Sequence, residues 1–94
     1  IKDILYFEAK NKQIIIHKTQ GEDLFYDNLE EVKKRLPSVF VQIHRSFLVN
    51  FDKVKEVGRT SLLLMNDKEL PIGQTNLPQV RKMIYDKEEE KRID

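Results

Sequence analysis

The residues best suited to chemistry are three consecutive polar side chains, His44-Arg45-Ser46, which interrupt a mostly apolar stretch between Phe40 and Asn50. An imidazole, a guanidinium and a hydroxyl are all hydrogen-bond donors, and such a set suits phosphate oxygens or the edges of bases. If the flanking apolar residues form core strands, the triplet is held at their junction on rigid supports. The alternative interpretation is that His44 and Ser46 satisfy the backbone of a bend, while Arg45 pairs with an acid.

The sequence offers little for catalysis. It contains no cysteine and only two histidines, His17 and His44, without the His-x-His or Glu-x-x-His spacing of common zinc sites. The three glycines are isolated, so no glycine-rich phosphate loop is present. His17 falls in a β-branched run and is interpreted as a packed or surface residue of a strand. We therefore expect no enzyme, no metal site and no cofactor.

Length and composition indicate one small folded domain. The chain has 94 residues, of which 39% are hydrophobic and 35% charged, as in a globular domain with a heavily charged surface. Apolar runs such as Leu62–Met65 are far shorter than the ~20 residues of a membrane span. Because small secreted domains usually carry disulfides, the absence of cysteine favours the cytoplasm. The chain begins at Ile1 rather than Met, so we expect a fragment of a longer protein.

The charges are distributed unevenly along the chain. The net charge is +1, but the stretch from Asp86 to Asp94 contains five acids and three bases, which leaves +3 for residues 1–85. We therefore expect a mildly basic folded body over residues 1–85 and a charged C-terminal tail over residues 86–94. A small excess of positive charge matters for binding only if it is gathered on one face.

Runs of β-branched and aromatic residues between turn-forming residues predict a mainly β structure. Eight short strands are expected, over residues 3–9, 13–18, 24–26, 40–43, 47–50, 54–57, 61–65 and 69–72. Pro71 implies that the last of these is an edge strand. No strand–helix–strand alternation is present, so the fold class is α+β or mainly β.

Two helices are expected among the strands, over about residues 28–36 and 76–85. Asn28 lies three residues before Glu31, which is a capping-box arrangement, and Pro37 stops the first helix. In the second segment Leu77 and Val80 are spaced three residues apart on one helical face.

The run Ile43-His44-Arg45-Ser46-Phe47-Leu48-Val49-Asn50, with Val54 four residues later, resembles the signature of the LytTR DNA-binding domain. Weaker resemblances follow in the family's order along residues 1–85, at Asp3–Ala9, Phe25–Glu31, Leu36-Pro37, Phe40 and Leu70–Ile72. The resemblance implies a LytTR-like fold of about ten short strands in small sheets with few helices.

The resemblance also implies a function. LytTR domains are usually the C-terminal output domains of bacterial two-component response regulators and follow a phosphorylatable receiver domain. They bind double-stranded DNA through loops that enter successive major grooves, commonly as two protomers on paired direct repeats upstream of promoters. We therefore expect sequence-specific DNA binding, transcription control, a receiver N-terminal to this chain, and a dimer on DNA.

Three contact regions follow from the resemblance by position. They are Lys10, Asn11, Lys12 and Gln13; His44, Arg45 and Ser46; and Gln74, Thr75 and Asn76 after Gly73.

The family often has Ser-Arg where this chain has Gly73-Gln74, and that arginine tends to read a base. Gln74 can still pair bidentately with adenine. Alternatively, Gln74 only supports the loop, and Gly73 provides backbone freedom. No acid lies between the donors of these loops, and Glu30-Glu31 lie elsewhere in the sequence.

A function from another class also remains open at this stage. The chain could be a small β-rich protein-interaction module whose exposed strand edges pair with a partner and that does not bind DNA. Salt distinguishes the two, because duplex binding weakens steeply as salt rises, whereas strand addition does not.

Overall fold

Eight strands form two antiparallel sheets in the computed structural model, which describes residues 3–90, with side chains for residues 3–86. The strands are β1 (Ile4–Lys10), β2 (Gln13–Lys18), β3 (Glu22–Tyr26), β4 (Phe40–His44), β5 (Phe47–Asn50), β6 (Val54–Val57), β7 (Ser61–Leu64) and β8 (Glu69–Pro71). The helices are α1 (Leu29–Lys34) and α2 (Leu77–Glu90), with single 3₁₀ turns at Phe51–Lys53 and Gln74–Asn76.

The order of strands brings two hairpin turns to the same end of the larger sheet. That sheet has the order β3-β2-β1-β5-β4, and the smaller sheet has the order β6-β7-β8. At the β1–β2 turn Lys10 pairs with Gln13, and on the other side of β1 Glu8 pairs with Phe47 at the start of β5. Because β5 runs antiparallel to β1, the turn between β4 and β5 lies beside the turn between β1 and β2.

The larger sheet buries apolar residues on both of its faces, since neighbouring residues of a strand point to opposite sides. On one face Phe7 of β1 packs with Leu29 and Val32 of α1. On the other face Tyr6 packs against the smaller sheet and against Val80 of α2. The central strands are therefore held rigidly from both sides, and so are the turns that they carry.

Helix α1 begins as its sequence predicts. The Asn28 side chain accepts a hydrogen bond of 3.0 Å from the backbone N–H of Glu31, which satisfies a free donor of the first turn. Leu29 and Val32 face the core, and the helix ends at Lys34, before Pro37. It is shorter than the predicted span of residues 28–36.

The structure confirms the mainly β fold with two helices, and all eight predicted strands lie within two residues of their predicted bounds. The described residues contain eight strands, compared with about ten implied by the resemblance. Pro71 lies on the edge strand β8, as predicted. Helix α2 continues from the predicted end at residue 85 to Glu90, so part of the predicted tail is helical; residues 91–94 lie outside the described part. Among the described residues no helix is long and apolar enough to cross a membrane.

Candidate functional site

The three predicted contact regions lie side by side at one end of the larger sheet. The backbone N–H of Ala9 donates to the carbonyl of Ser46 at 2.9 Å, which joins the β1 side to the β4–β5 turn. The N–H of Gly73 donates to the carbonyl of Ile43 at 2.7 Å, which joins the third segment to β4. We call this surface the three-loop face; it consists of residues 10–13, 44–46 and 73–76.

The first loop is a two-residue hairpin turn. Asn11 (φ 53°) and Lys12 (φ 64°) both lie in the left-handed region, which is the φ pattern of a type I′ turn. Lys10 and Gln13 are therefore the paired ends of the strands rather than loop residues. Lys10, Asn11 and Lys12 are exposed. For a lysine the left-handed region costs roughly 1 kcal/mol, so the turn is not optimised for stability at Lys12.

His44 has one ring nitrogen committed to its own turn. Its Nδ1 accepts a hydrogen bond of 3.0 Å from the backbone N–H of Ser46. In the neutral ring the proton must then be on Nε2, which remains a donor. The carbonyl of His44 accepts from the Gln42 amide at 3.3 Å, and the ring packs 5.3 Å from that of Phe47. His44 does satisfy the bend, as one of the two interpretations proposed, but it keeps a donor free.

Arg45 is exposed at the tip of the β4–β5 turn, and no carboxylate among residues 3–86 forms an ion pair with it. The alternative in which Arg45 pairs with an acid is therefore wrong for the described residues. Arg45 and Gln42 line two adjoining clefts. The first, of about 340 Å³, is also lined by Lys12 and Gln13. The second, of about 290 Å³, is also lined by His44, Gly73, Thr75 and Asn76. Arg45 thus lies between the first and third loops.

The third segment is fastened to β4 by Asn76. The half-buried Asn76 amide donates to the carbonyl of Gln42 at 3.3 Å, whereas Gln74 and Thr75 are exposed. Gly73 has a φ of −65°, so the suggestion that it provides backbone freedom is wrong. A Cβ at this position would lie 2.7 Å from Asn76 Oδ1, so glycine is needed here for space.

Two acids lie closer to the three-loop face than the sequence suggested. Asp27 and Glu30 line the same cleft as Lys12 and Arg45, because α1 packs beside the first turn. The Asp27 carboxylate is bound by Arg35 at 2.6 Å. Glu30 is exposed and lies outside the ion pairs of the described residues. Sequence separation hid this proximity, because it depends on how α1 packs.

Gln42 was also missed, although it lines both clefts. The register of β4 against β5 shifts between Gln42 and His44, so the alternation of a regular strand gave no signal for this position.

A second polar cluster lies further along the β1–β2 hairpin; we call Tyr6, Glu8, His17 and Glu22 the paired cluster. The half-buried His17 contacts Glu8 through Nε2 at 2.8 Å and Glu22 through Nδ1 at 3.1 Å. Its ring stacks on Tyr6 at 4.2 Å between centroids. Burial, together with the charges of Glu8 and Glu22, raises the pKa of Tyr6 to about 12. Across the described residues no three ligating side chains are grouped to hold a metal ion.

Comparison with known proteins gives consistent results. The model of a family described as the LytTr DNA-binding domain matches residues 1–85. Sensory transduction protein LytT of Bacillus subtilis is 29% identical over 90 residues, which is 89% of this chain and 37% of LytT. Transcriptional regulatory protein YpdB of Escherichia coli K12 is 29% identical over 92 residues, 90% of this chain and 38% of YpdB. The chain therefore spans less than two fifths of the length of these relatives.

A solved structure has a closely similar fold. It is a LytTr DNA-binding domain from Bacillus cereus, which superposes with a TM-score of 0.81 at 26% sequence identity. The match covers 88% of this chain and 82% of that one.

Proposed function

This chain belongs to the LytTr DNA-binding domain family of response regulators, and on that premise we propose that it binds double-stranded DNA sequence-specifically and so controls transcription. The family is a class of DNA-binding regulatory domains rather than a class of enzymes. We therefore also propose that the chain has no catalytic activity of its own.

The observation that carries the proposal is the position of Arg45 between two other donor-bearing loops, exposed and without a carboxylate partner among residues 3–86. A guanidinium forks onto O6 and N7 of guanine, the commonest base-specific contact in the major groove. The major groove is about 12 Å wide and admits a two-stranded ribbon, so a two-residue hairpin turn fits inside it. Two such turns lie together at this end of the sheet.

We assign the remaining contacts by charge and exposure. The ammonium groups of Lys10 and Lys12 bind phosphates, which adds affinity without sequence preference. His44 donates from Nε2 to a phosphate or to a base acceptor. Gln74 reaches a base edge, where an amide favours adenine. Four neutral side chains contact the phosphates or sugars of the DNA backbone: Asn11, Gln13, Ser46 and Thr75.

Asn76 has an additional role in this proposal beside the DNA contact that its position in the motif implied. Its amide donates one hydrogen bond to β4. We therefore propose that Asn76 also positions the third loop.

The assembly is proposed on the basis of the family and the names of the relatives. LytT is named a sensory transduction protein and YpdB a transcriptional regulatory protein, and both are longer than this chain. We propose that an N-terminal receiver domain precedes the chain in the full-length protein. Two copies would occupy direct repeats at a promoter, in the bacterial cytoplasm.

One observation favours the protein-interaction alternative. Strand β3 is an edge of the larger sheet and carries two exposed apolar side chains, Leu24 (57% exposed) and Tyr26 (81% exposed). The opposite edge, β4, is partly covered by the hydrogen bonds from Gly73 and Asn76. A partner strand would therefore add at β3.

A selection followed by a salt titration tests the proposed function. The chain would be used to select from a random duplex pool, and the affinity for the selected duplex and for the pool would be measured by fluorescence anisotropy between 50 and 200 mM salt. We expect enrichment of a repeated sequence and a linear fall of log K with log salt. An absence of duplex binding at low salt, with retained folding, would contradict the proposal and leave the β3 edge as the candidate interface.

A further inference from the structure

We infer that Glu30 is an affinity-limiting residue of the three-loop face, whose carboxylate weakens the attraction of this face for the DNA backbone. The inference rests on the proposed DNA binding and names a residue outside the motif that suggested it. The carboxylate belongs to α1, and the bases that it opposes belong to the β1–β2 and β4–β5 turns.

The geometry places Glu30 on the wall of the cleft that Lys12 and Arg45 also line. Glu30 is exposed, and no ion pair or side-chain hydrogen bond neutralises it among the described residues. A phosphate that approached Lys12 or Arg45 through this cleft would therefore also approach an uncompensated negative charge.

The neighbouring acids of the same segment differ from Glu30 in this respect. Asp27 lines the cleft, but its carboxylate binds the Arg35 guanidinium at 2.6 Å and the Asn28 backbone N–H at 2.8 Å. Glu31 is next to Glu30 in the first turn of α1, but it pairs with Lys34 at 3.1 Å and does not line the cleft. Glu30 is thus the acid of this group that combines a place in the cleft with an unpaired charge.

The physical effect follows from the polyelectrolyte character of DNA. Binding of a duplex gains free energy as cationic groups replace condensed counterions, and the slope of log K against log salt is about −0.9 per phosphate neutralised. A carboxylate within the footprint offsets part of one such contact. It lowers the affinity for every duplex, because phosphates are present whatever the sequence.

Glu31→Gln is the matched control for Glu30→Gln. Both substitutions remove one negative charge from the first turn of α1, where a negative charge favours the helix dipole, so both have a similar effect on the helix. Both change the net charge of the chain by the same amount. The two variants differ in two respects: the Glu30 carboxylate lies in the cleft, whereas the Glu31 carboxylate lies outside it and pairs with Lys34.

The experiment measures anisotropy of a fluorescein-labelled random 30-base-pair duplex pool with the native chain, Glu30→Gln, Glu31→Gln and Arg45→Ala. With Glu30→Gln we expect binding at 50 mM salt to tighten several-fold, and the salt slope to steepen by up to about 0.9. With Glu31→Gln we expect a change of less than twofold. Thermal melts of all four proteins verify that they are folded.

Equal affinities for Glu30→Gln and Glu31→Gln would overturn the inference, as would weaker binding by Glu30→Gln, which would make the carboxylate an attractive contact. The proposed function survives both results if the native chain binds the pool and Arg45→Ala binds it less well. If all four folded proteins fail to bind, both the proposed function and the inference are wrong.

Discussion

The two ends of the β1–β2 hairpin use their polar residues in opposite ways. In the paired cluster His17 contacts Glu8 and Glu22, and Tyr6 stacks on its ring. The turn of the same hairpin lies about 13 Å further along the strands, given ~3.3 Å per residue. There Lys12 forms no ion pair in the described part of the chain. The comparison separates residues that hold the strands together from residues that are available to a ligand.

The difference has a thermodynamic basis. An exposed cation that is left unpaired stays hydrated and costs the folded state little, whereas a half-buried imidazole or carboxylate needs partners to offset its lost hydration. A binding surface can therefore keep free donors only where solvent reaches them. The three-loop face meets this condition with Lys10, Lys12 and Arg45, all of which are exposed. Substitutions at the paired cluster should then alter stability, and substitutions at the three-loop face should alter binding.

The largest expected effect concerns stability at alkaline pH and arises at Tyr6. Its pKa is raised from 10.0 to about 12, so in the folded state the phenol keeps its proton over a range in which the unfolded chain loses it. The contribution of Tyr6 to the free energy of unfolding is fully present below pH 10 and is lost as the pH rises towards 12. Two pKa units correspond to about 2–3 kcal/mol of unfolding free energy. Denaturant unfolding at pH 8 and at pH 12 measures this contribution. Between the two pH values the free energy of unfolding should fall less for Tyr6→Phe than for the native chain.

Tyr26→Phe is the matched control for this measurement, because its phenol is 81% exposed. Between pH 8 and pH 12 its free energy of unfolding should fall by as much as that of the native chain. An alkaline loss of the same size in Tyr6→Phe would mean that the Tyr6 phenol is not responsible. DNA affinity at neutral pH should be unchanged in Tyr6→Phe, since the paired cluster lies apart from the three-loop face.

The second prediction concerns Arg45 at the three-loop face. Arg45→Ala should weaken binding to the selected duplex by about 1–3 kcal/mol if the guanidinium reads a base. The melting temperature should hardly change, because Arg45 has no ion-pair partner among residues 3–86 to lose. Arg45→Lys keeps the charge but not the bidentate fork, so it should retain affinity for random duplexes and lose discrimination. A large fall in melting temperature with unchanged DNA affinity would show that Arg45 serves stability rather than binding.

Local patterns in the sequence predicted the elements that depend on neighbouring residues. The β-branched run Ile14–Ile16 indicated β2, and the spacing of Asn28 and Glu31 indicated the start of α1. These signals are reliable because strand alternation and helix capping act over a few residues. The resemblance around Arg45 gave the family, which the family model confirms.

Contacts between distant segments could not be read in the same way. The approach of Glu30 to Lys12 depends on how α1 packs on the sheet, which no local pattern encodes. Gly73 was interpreted from its usual conformational freedom, yet its φ is ordinary and the constraint comes from Asn76, three residues later. The left-handed conformation of Lys12 was also unforeseen, because lysine rarely adopts it.

The third prediction concerns Lys12, where one substitution should change both stability and DNA binding. Lys12→Gly turns the pair into Asn-Gly, which type I′ turns prefer, and removes the strain of a side chain at φ 64°. Stability should rise by roughly 0.5–1 kcal/mol. Binding should weaken alike for all duplexes, with the salt slope reduced by about 0.9, because one phosphate contact is lost. Urea unfolding and anisotropy measure the two effects.

Asn11→Gly serves as the control for Lys12→Gly, because it changes the same turn without removing a charge. Its salt slope should match that of the native chain. If Lys12→Gly leaves the slope unaltered as well, Lys12 contacts no phosphate.

The smallest expected effect concerns Gln74, which is exposed at the third loop and neutral. A neutral donor releases no counterion and makes a weaker hydrogen bond than a charged one. Gln74→Arg should therefore tighten binding to all duplexes by a few-fold. It should also shift the preferred base at the contacted position from adenine towards guanine, because arginine favours O6 and N7 of guanine.

Thr75→Arg adds the same charge at the next exposed residue and separates the general electrostatic gain from base reading. Selection from a random pool with the three proteins measures the preference. If Gln74→Arg and the native chain select the same base at every position, Gln74 touches no base and only supports the loop that Asn76 fastens to β4.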